Sequence, residues 1–177
     1  MADKISVLIP EEEIEKRIDE LAEQINKDYE GTSLHLICVL KGSMFFTCAL
    51  AKRLKMPVTI DTMSVSSYGS GTESTGRLKI VKDLDESVKD RDVLIVEDII
   101  DFGVTLENLV RMIGQREPKS VKICTLLNKP DRRIADVQED YCGFVIPNKF
   151  VVGYGLDYAQ KYRNLPYIGV VELDAGE

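Results

Sequence analysis

The 177-residue sequence has a single histidine, four cysteines and no surplus of basic residues, and each shortage removes a class of function. His35 lies in an apolar stretch with no second imidazole in the chain, so histidine-built zinc sites and Ser-His or Cys-His nucleophile systems lack their material. A structural histidine is expected. Cys38, Cys48, Cys124 and Cys142 form no CxxC pair, and three of them sit among apolar residues such as Leu36-Ile37-Cys38-Val39-Leu40. They read as small buried hydrophobes in a reduced compartment. No apolar run approaches the roughly 18 residues that span a bilayer. Met1-Ala2-Asp3-Lys4-Ile5 lacks the basic start and apolar run of a secretory signal, so the expected location is the cytoplasm, with no membrane partner. Lysine and arginine total 23 against 30 aspartates and glutamates, a net charge of -7, which disfavours broad adhesion to nucleic acid.

Apolar material is abundant, at 44% of residues with 30% charged, the balance of a compact globular chain. At this length about 70% of the unfolded surface can be buried, so a single domain over residues 1–177 needs no disulfide or structural metal. Pro10 followed by Glu11-Glu12-Glu13 marks a helix start, and Ile14, Ile18, Leu21, Ala22 and Ile25 recur at helical spacing. Leu34 to Leu40 reads as a buried strand, Met44 to Leu54 as a helix and Val58 to Ser66 as a β-branched strand. Ser67 to Gly76 is rich in Gly, Ser and Thr and is expected to be a mobile loop. Strands follow at Arg77 to Val81, Val93 to Val96 and Val121 to Leu127, with a helix from Val104 ending at Gly114. From about Tyr141 the pattern is of short strands and turns. Uninterrupted apolar strands separated by amphipathic helices predict an α/β fold, a parallel sheet flanked by helices on both faces.

Ligands of an open α/β sheet gather outside the carboxyl ends of its strands. There the sequence places Glu97-Asp98-Ile99-Ile100-Asp101-Phe102-Gly103-Val104-Thr105: two acids delivered by a buried strand, then a glycine turn opening a helix. Free amides at such a turn, with the helix dipole behind them and the Thr105 hydroxyl beside them, cradle a phosphate. Glu97 and Asp98 beside a phosphate suit sugar hydroxyls or a magnesium ion; the alternative is that the acids terminate the strand and cap the next helix. Lys41-Gly42-Ser43 and Lys129 each follow another strand, adding cations to the same corner.

Val93 to Thr105 resembles the phosphoribosyl pyrophosphate signature of the type I phosphoribosyltransferases. Leu40-Lys41-Gly42, Ser67-Tyr68-Gly69, Leu127-Asn128-Lys129, Phe150-Val151-Val152-Gly153-Tyr154-Gly155-Leu156-Asp157-Tyr158 and Tyr162-Arg163-Asn164-Leu165 narrow the resemblance to the 6-oxopurine branch, the hypoxanthine-guanine phosphoribosyltransferases. It runs from about Ile5 to Val171. The resemblance implies the type I fold, with a small hood made by chain-terminal segments and a flexible active-site loop. It implies transfer of ribose 5-phosphate from phosphoribosyl pyrophosphate to hypoxanthine or guanine, with Mg2+ as cofactor and a homodimer or homotetramer as the assembly. Residue by residue, Glu97 and Asp98 hold the ribose hydroxyls with metal close by, and Asp101, Phe102, Gly103, Val104 and Thr105 take the 5-phosphate. Asp101 is also the candidate catalytic base. Lys129, Phe150, Val151 and Asp157 form the purine site, and Asp157 serves a second magnesium. Lys41, Gly42 and Arg163 bind pyrophosphate, with a cis peptide bond before Lys41, while Ser67 and Tyr68 belong to the closing loop. One departure stands out: Phe102 replaces the usual threonine or serine, so either phosphate affinity falls or the ring turns outward toward a subunit or another loop. A xanthine enzyme and an RNA-binding regulator on the same fold are the alternative readings.

Overall fold

The computed structural model describes residues 4–67 and 78–172. Helix α1 (Glu11–Asp28) buries the predicted stripe Ile14, Ile18, Leu21, Ala22 and Ile25. Pro10 stands one place earlier than the first helical position, as the N-cap, and its carbonyl accepts the Glu13 and Ile14 amides at 3.1 and 3.2 Å. Strand β2 (Leu34–Val39) is buried throughout. Helix α2 (Met44–Ala51) ends three residues before the expected Leu54. There the Arg53 and Leu54 amides bond back only three residues, to Leu50 and Ala51, tightening the chain toward Pro57, whose ring disfavours helix at the residue before it.

Strand β3 (Val58–Ser67) follows, then β4 (Leu78–Lys82), β5 (Asp92–Ile100), α3 (Val104–Gly114), β6 (Ser120–Asn128), a 3-10 turn at Pro130–Arg132 and β7 (Tyr141–Val145). They form a sheet of order β4-β3-β2-β5-β6-β7. Every pairing from β3 to β7 is parallel, as predicted, and only the edge strand β4 runs antiparallel. Alternate residues of β5 enter two cores: Leu94 and Val96 pack on the side of α1 and α2, Val93 and Ile95 on the side of α3 with Leu106, Leu109 and Ile113. Burial on both faces is why this strand reads as a continuous apolar run.

The chain ends make a second sheet, with β1 (Lys4–Ile9) antiparallel to β9 (Ile168–Glu172) and β9 antiparallel to β8 (Val151–Val152). This is the expected hood. Connections leave β2 and β5 in opposite directions, β2 through α2 to β3 and β5 through α3 to β6. Their loops therefore diverge and open a crevice at the carboxyl ends of these neighbouring strands.

His35 is buried with Nδ1 2.8 Å from the Thr59 hydroxyl, a structural role. All four cysteines are free thiols, but the expectation that all are buried fails at Cys48, which is exposed; Cys142 is half-buried. Cys48 shares the outer face of α2 with Met44 and Phe45, because the helix turns its Phe46, Thr47, Ala49 and Leu50 face inward. Among the described residues no helix is long and apolar enough to cross a membrane. Ser67 closes β3, its backbone paired with Leu78, while Tyr68 and the rest of the expected closing loop lie outside the described residues.

Candidate active site

Glu97 and Asp98 lie inside β5, which continues to Ile100, and α3 is capped by Gly103 without a side-chain hydrogen bond. The acids thus neither end the strand nor cap the helix. Glu97 is buried, and that burial, joined by repulsion from Asp98, holds its carboxyl well above the usual range. Burial raises Asp98 too, against the Ile99 amide, which donates to Oδ1 at 2.7 Å, and the Arg163 charge. A buried carboxyl beside a half-buried one is an arrangement that a cation or hydroxyl donors would stabilise.

Lys41-Gly42-Ser43 lies directly against this pair. A Cβ at Gly42 would stand 1.7 Å from Asp98 Oδ2, and one at Gly155 would stand 2.0 Å from the Gly42 carbonyl oxygen. The loop is wedged between the acid and the turn after β8, so only glycine allows both approaches. The Leu40–Lys41 peptide is cis.

Beyond β5 the chain turns at Gly103, whose φ of +84° places it in the left-handed region, and α3 begins. Its first-turn amides, which a helix leaves without internal partners, face the end of β5 together with the positive end of the dipole. The segment after β6 clasps this turn. The Ile134 and Ala135 amides donate to the Phe102 carbonyl at 3.1 and 3.2 Å, and Arg133 Nε donates to the Asp101 carbonyl at 3.2 Å. Arg132 Nε lies 2.9 Å from Asp101 Oδ1. The Phe102 ring is turned outward, 46% exposed, with the Arg132 guanidinium 4.3 Å from its centroid.

Lys129 follows β6 and is only 5% exposed, far from a solvated lysine; burial lowers its pKa while the Asp101 charge opposes the shift. Phe150 presents a half-exposed ring held edge-on by Tyr158, centroids 5.6 Å apart, and Val151 opens β8. Arg163 donates to the Gly155 carbonyl at 2.7 Å and pairs with Asp157 at 3.1 Å. Lys41 Nζ and Arg163 both reach the Gln160 side-chain oxygen at 3.4 Å. The structure thus gathers Lys41, Arg163, Asp157 and Gln160 on one side of the crevice and Asp101, Phe102, Lys129 and Arg132 at the loop before α3.

Glu97, Asp98 and Asp157 do not join into one preformed cage. Among the described residues no group of three His, Cys, Asp or Glu side chains stands close enough to hold a metal, because Asp157 is engaged by Arg163 and by the Gln160 amide. Sequence reasoning missed Gln160, Arg132 and Arg133. Gln160 carries no sequence signal, its φ of +67° being visible only in three dimensions. The adjacent Arg132-Arg133 pair, three and four residues beyond Lys129, was the available hint.

The model of the phosphoribosyl transferase domain matches residues 8–159. The chain is 51% identical over 175 residues to the hypoxanthine phosphoribosyltransferase of Salmonella typhimurium, covering 98% of each. It is 53% identical over 166 residues to the hypoxanthine-guanine phosphoribosyltransferase of Bacillus subtilis, covering 94% of this chain and 92% of that one. A crystal structure of a hypoxanthine-guanine phosphoribosyltransferase from Bacillus anthracis superposes with a TM-score of 0.92 at 48% identity, covering 97% of this chain and all of that one. With the crevice between β2 and β5, the terminal hood and a family match over most of its length, the chain belongs to the phosphoribosyl transferase family and has the type I fold.

Proposed function

We propose that this chain transfers ribose 5-phosphate from phosphoribosyl pyrophosphate to hypoxanthine or guanine, releasing pyrophosphate. The observation that carries the reading is Lys129, a lysine only 5% exposed as a residue, beside Asp101 at the carboxyl end of β6. An enclosed cation needs an acceptor, and the exocyclic 6-oxygen of an oxopurine supplies one where the amino group of adenine does not. The half-exposed Phe150 ring offers a stacking face for any purine, which leaves the choice of the 6-oxo group to Lys129.

In the transfer, the bond from the sugar C1 to pyrophosphate breaks, the purine nitrogen bonds to C1, and the purine N7 proton leaves toward Asp101. Positive charge builds on the sugar as negative charge builds on the leaving group. Lys41 and Arg163, already converged on the Gln160 oxygen, meet that negative charge. The Gly103, Val104 and Thr105 end of α3 anchors the 5-phosphate, and Glu97 and Asp98 hold the ribose hydroxyls. Asp101 contributes mainly orientation and charge. The hard oxygen donors of Glu97, Asp98 and Asp157 are of the kind that would hold magnesium. Glu97 and Asp98 would hold one such ion and Asp157 a second, and the ions would supply charge neutralisation to pyrophosphate. Ser67 and Tyr68, on the closing loop, exclude water that would hydrolyse the activated sugar.

We place the enzyme in the cytoplasm, in keeping with its four free thiols, as a homodimer or homotetramer. Met44 and Phe45, each 41% exposed on α2, offer an apolar contact. Steady-state assays with hypoxanthine, guanine, xanthine and adenine, each with the pyrophosphorylated sugar and magnesium, test the function. IMP and GMP formation without adenine turnover is expected; preference for xanthine replaces the reading with its nearest rival, and salt-dependent RNA binding in place of turnover supports the regulator. Nucleotide affinity is expected to rise in Phe102→Thr, which restores a hydroxyl to the phosphate loop.

A further inference from the structure

We propose that Arg132 is a positioning residue for the transfer step, holding the Asp101 carboxylate in place from a seat on the Phe102 ring. This deepens the reading of Asp101 as the group that receives the purine proton. The guanidinium lies 4.3 Å from the Phe102 centroid, well within the range at which a ring face attracts a cation. Its Nε lies 2.9 Å from Asp101 Oδ1. One planar cation therefore touches two consecutive residues of the loop that opens α3.

The nature of the Asp101 contact matters. Oδ1 is buried and makes no hydrogen bond among the described residues, so Arg132 restrains it by charge and leaves its lone pairs unspent. Backbone bonds make the arrangement stiff: Ile134 and Ala135 grip the Phe102 carbonyl, Arg133 grips the Asp101 carbonyl, and the Lys129 amide donates to Ile100 at 2.9 Å. The loop carrying Asp101 and the turn carrying Lys129 and Arg132 are thereby fastened to each other, so proton acceptor and 6-oxygen donor keep a constant spacing.

Phe102 then has a physical account. A serine or threonine side chain offers a hydroxyl but no face, whereas phenylalanine gives up the hydroxyl and seats the guanidinium. The Arg132 side chain is only 33% exposed, consistent with a cation lodged between two partners and not a free surface charge.

A mutant cycle tests this, with kcat and KM measured for both substrates and unfolding followed alongside. Arg132→Ala is expected to lower kcat on the order of tenfold while each KM stays within about twofold, since misorientation of a reacting group acts on turnover more than on binding. Arg132→Lys, which keeps charge but not the planar stack, recovers part of the loss. In an Asp101→Asn background Arg132→Ala costs less than about twofold, because no carboxylate remains to be held. Phe102→Ser lowers kcat, and adding Arg132→Ala to it lowers kcat little further. The proposal is overturned if Arg132→Ala costs the same factor with asparagine at 101, or if the Phe102 and Arg132 effects multiply. Should Arg132→Ala fail to fold, Arg132→Lys and Phe102→Ser carry the cycle by the same criteria. A wild-type chain without oxopurine turnover overturns the function and this proposal together, whereas independent effects in an active enzyme overturn this proposal alone.

Discussion

Adding one methyl group at Gly42 tests the geometry of the crevice most directly. In Gly42→Ala the new Cβ would stand 1.7 Å from Asp98 Oδ2 and 2.7 Å from its Cγ. To reach ordinary contact near 3.4 Å, the oxygen must retreat about as far again as its present distance. The loop cannot yield instead, since Gly155 already presses on the Gly42 carbonyl from the other side. Asp98 must therefore swing away, abandoning the Ile99 amide that donates to its Oδ1 at 2.7 Å. Overpacking of this kind costs about 1–3 kcal/mol, and a displacement beyond 1 Å in a substrate-holding carboxylate lowers kcat/KM for phosphoribosyl pyrophosphate on the order of a hundredfold. The melting temperature should fall by roughly 2–4 °C for each kcal/mol lost. Asp98→Ala removes the obstructing oxygen, so in that background Gly42→Ala should cost little further stability. A Gly42→Ala enzyme with near-normal kcat/KM, or a stability loss that persists without the Asp98 carboxylate, would refute the interlock.

Two further outcomes follow from burial and exposure. Burial, aided by the Arg91 charge, lowers the His35 pKa below its ordinary 6.5, so the unfolded chain takes up a proton more readily than the native one. Stability is therefore full above that value and is lost as pH falls through it toward the lower native pKa. His35→Gln should flatten the urea midpoint between about pH 7.5 and about pH 5, and an unchanged acid slope counts against it. Phe150→Ala should raise KM for the purine on the order of tenfold or more through lost stacking, with KM for the sugar substrate unchanged. Because the ring is 46% exposed, unfolding should barely shift, and equal purine KM values would assign the base another seat.

Much of the fold was legible because its signals are local. The stripe from Ile14 to Ile25 reports one buried helix face, and the apolar run from Val93 to Val96 reports a strand covered on both sides. The end of α2 was read too far, since apolar Leu54 looks helical until the turn toward Pro57 is formed. Cys48 was read as buried because composition does not reveal which side of a short helix faces out. At the site, Glu97, Asp98 and Lys129 were visible as charged residues at the carboxyl ends of apolar strands, and Phe150 only through the family resemblance. Arg132 and Gln160 were not, since a surface arginine and glutamine look alike whether or not they touch anything.

By itself the sequence determined the order of strands and helices from α1 to β6, the acids at the end of β5 and the family, because periodicity and motif spacing are properties of neighbours along the chain. Only the tertiary structure decided that Asp98 fits against Gly42, that Lys129 is enclosed and that Arg132 bridges Phe102 and Asp101. Those contacts join residues brought together by the divergence of the loops leaving β2 and β5 and by the chain returning after β6. Burial and distance across such a crevice are set by packing, which no stretch of local sequence contains.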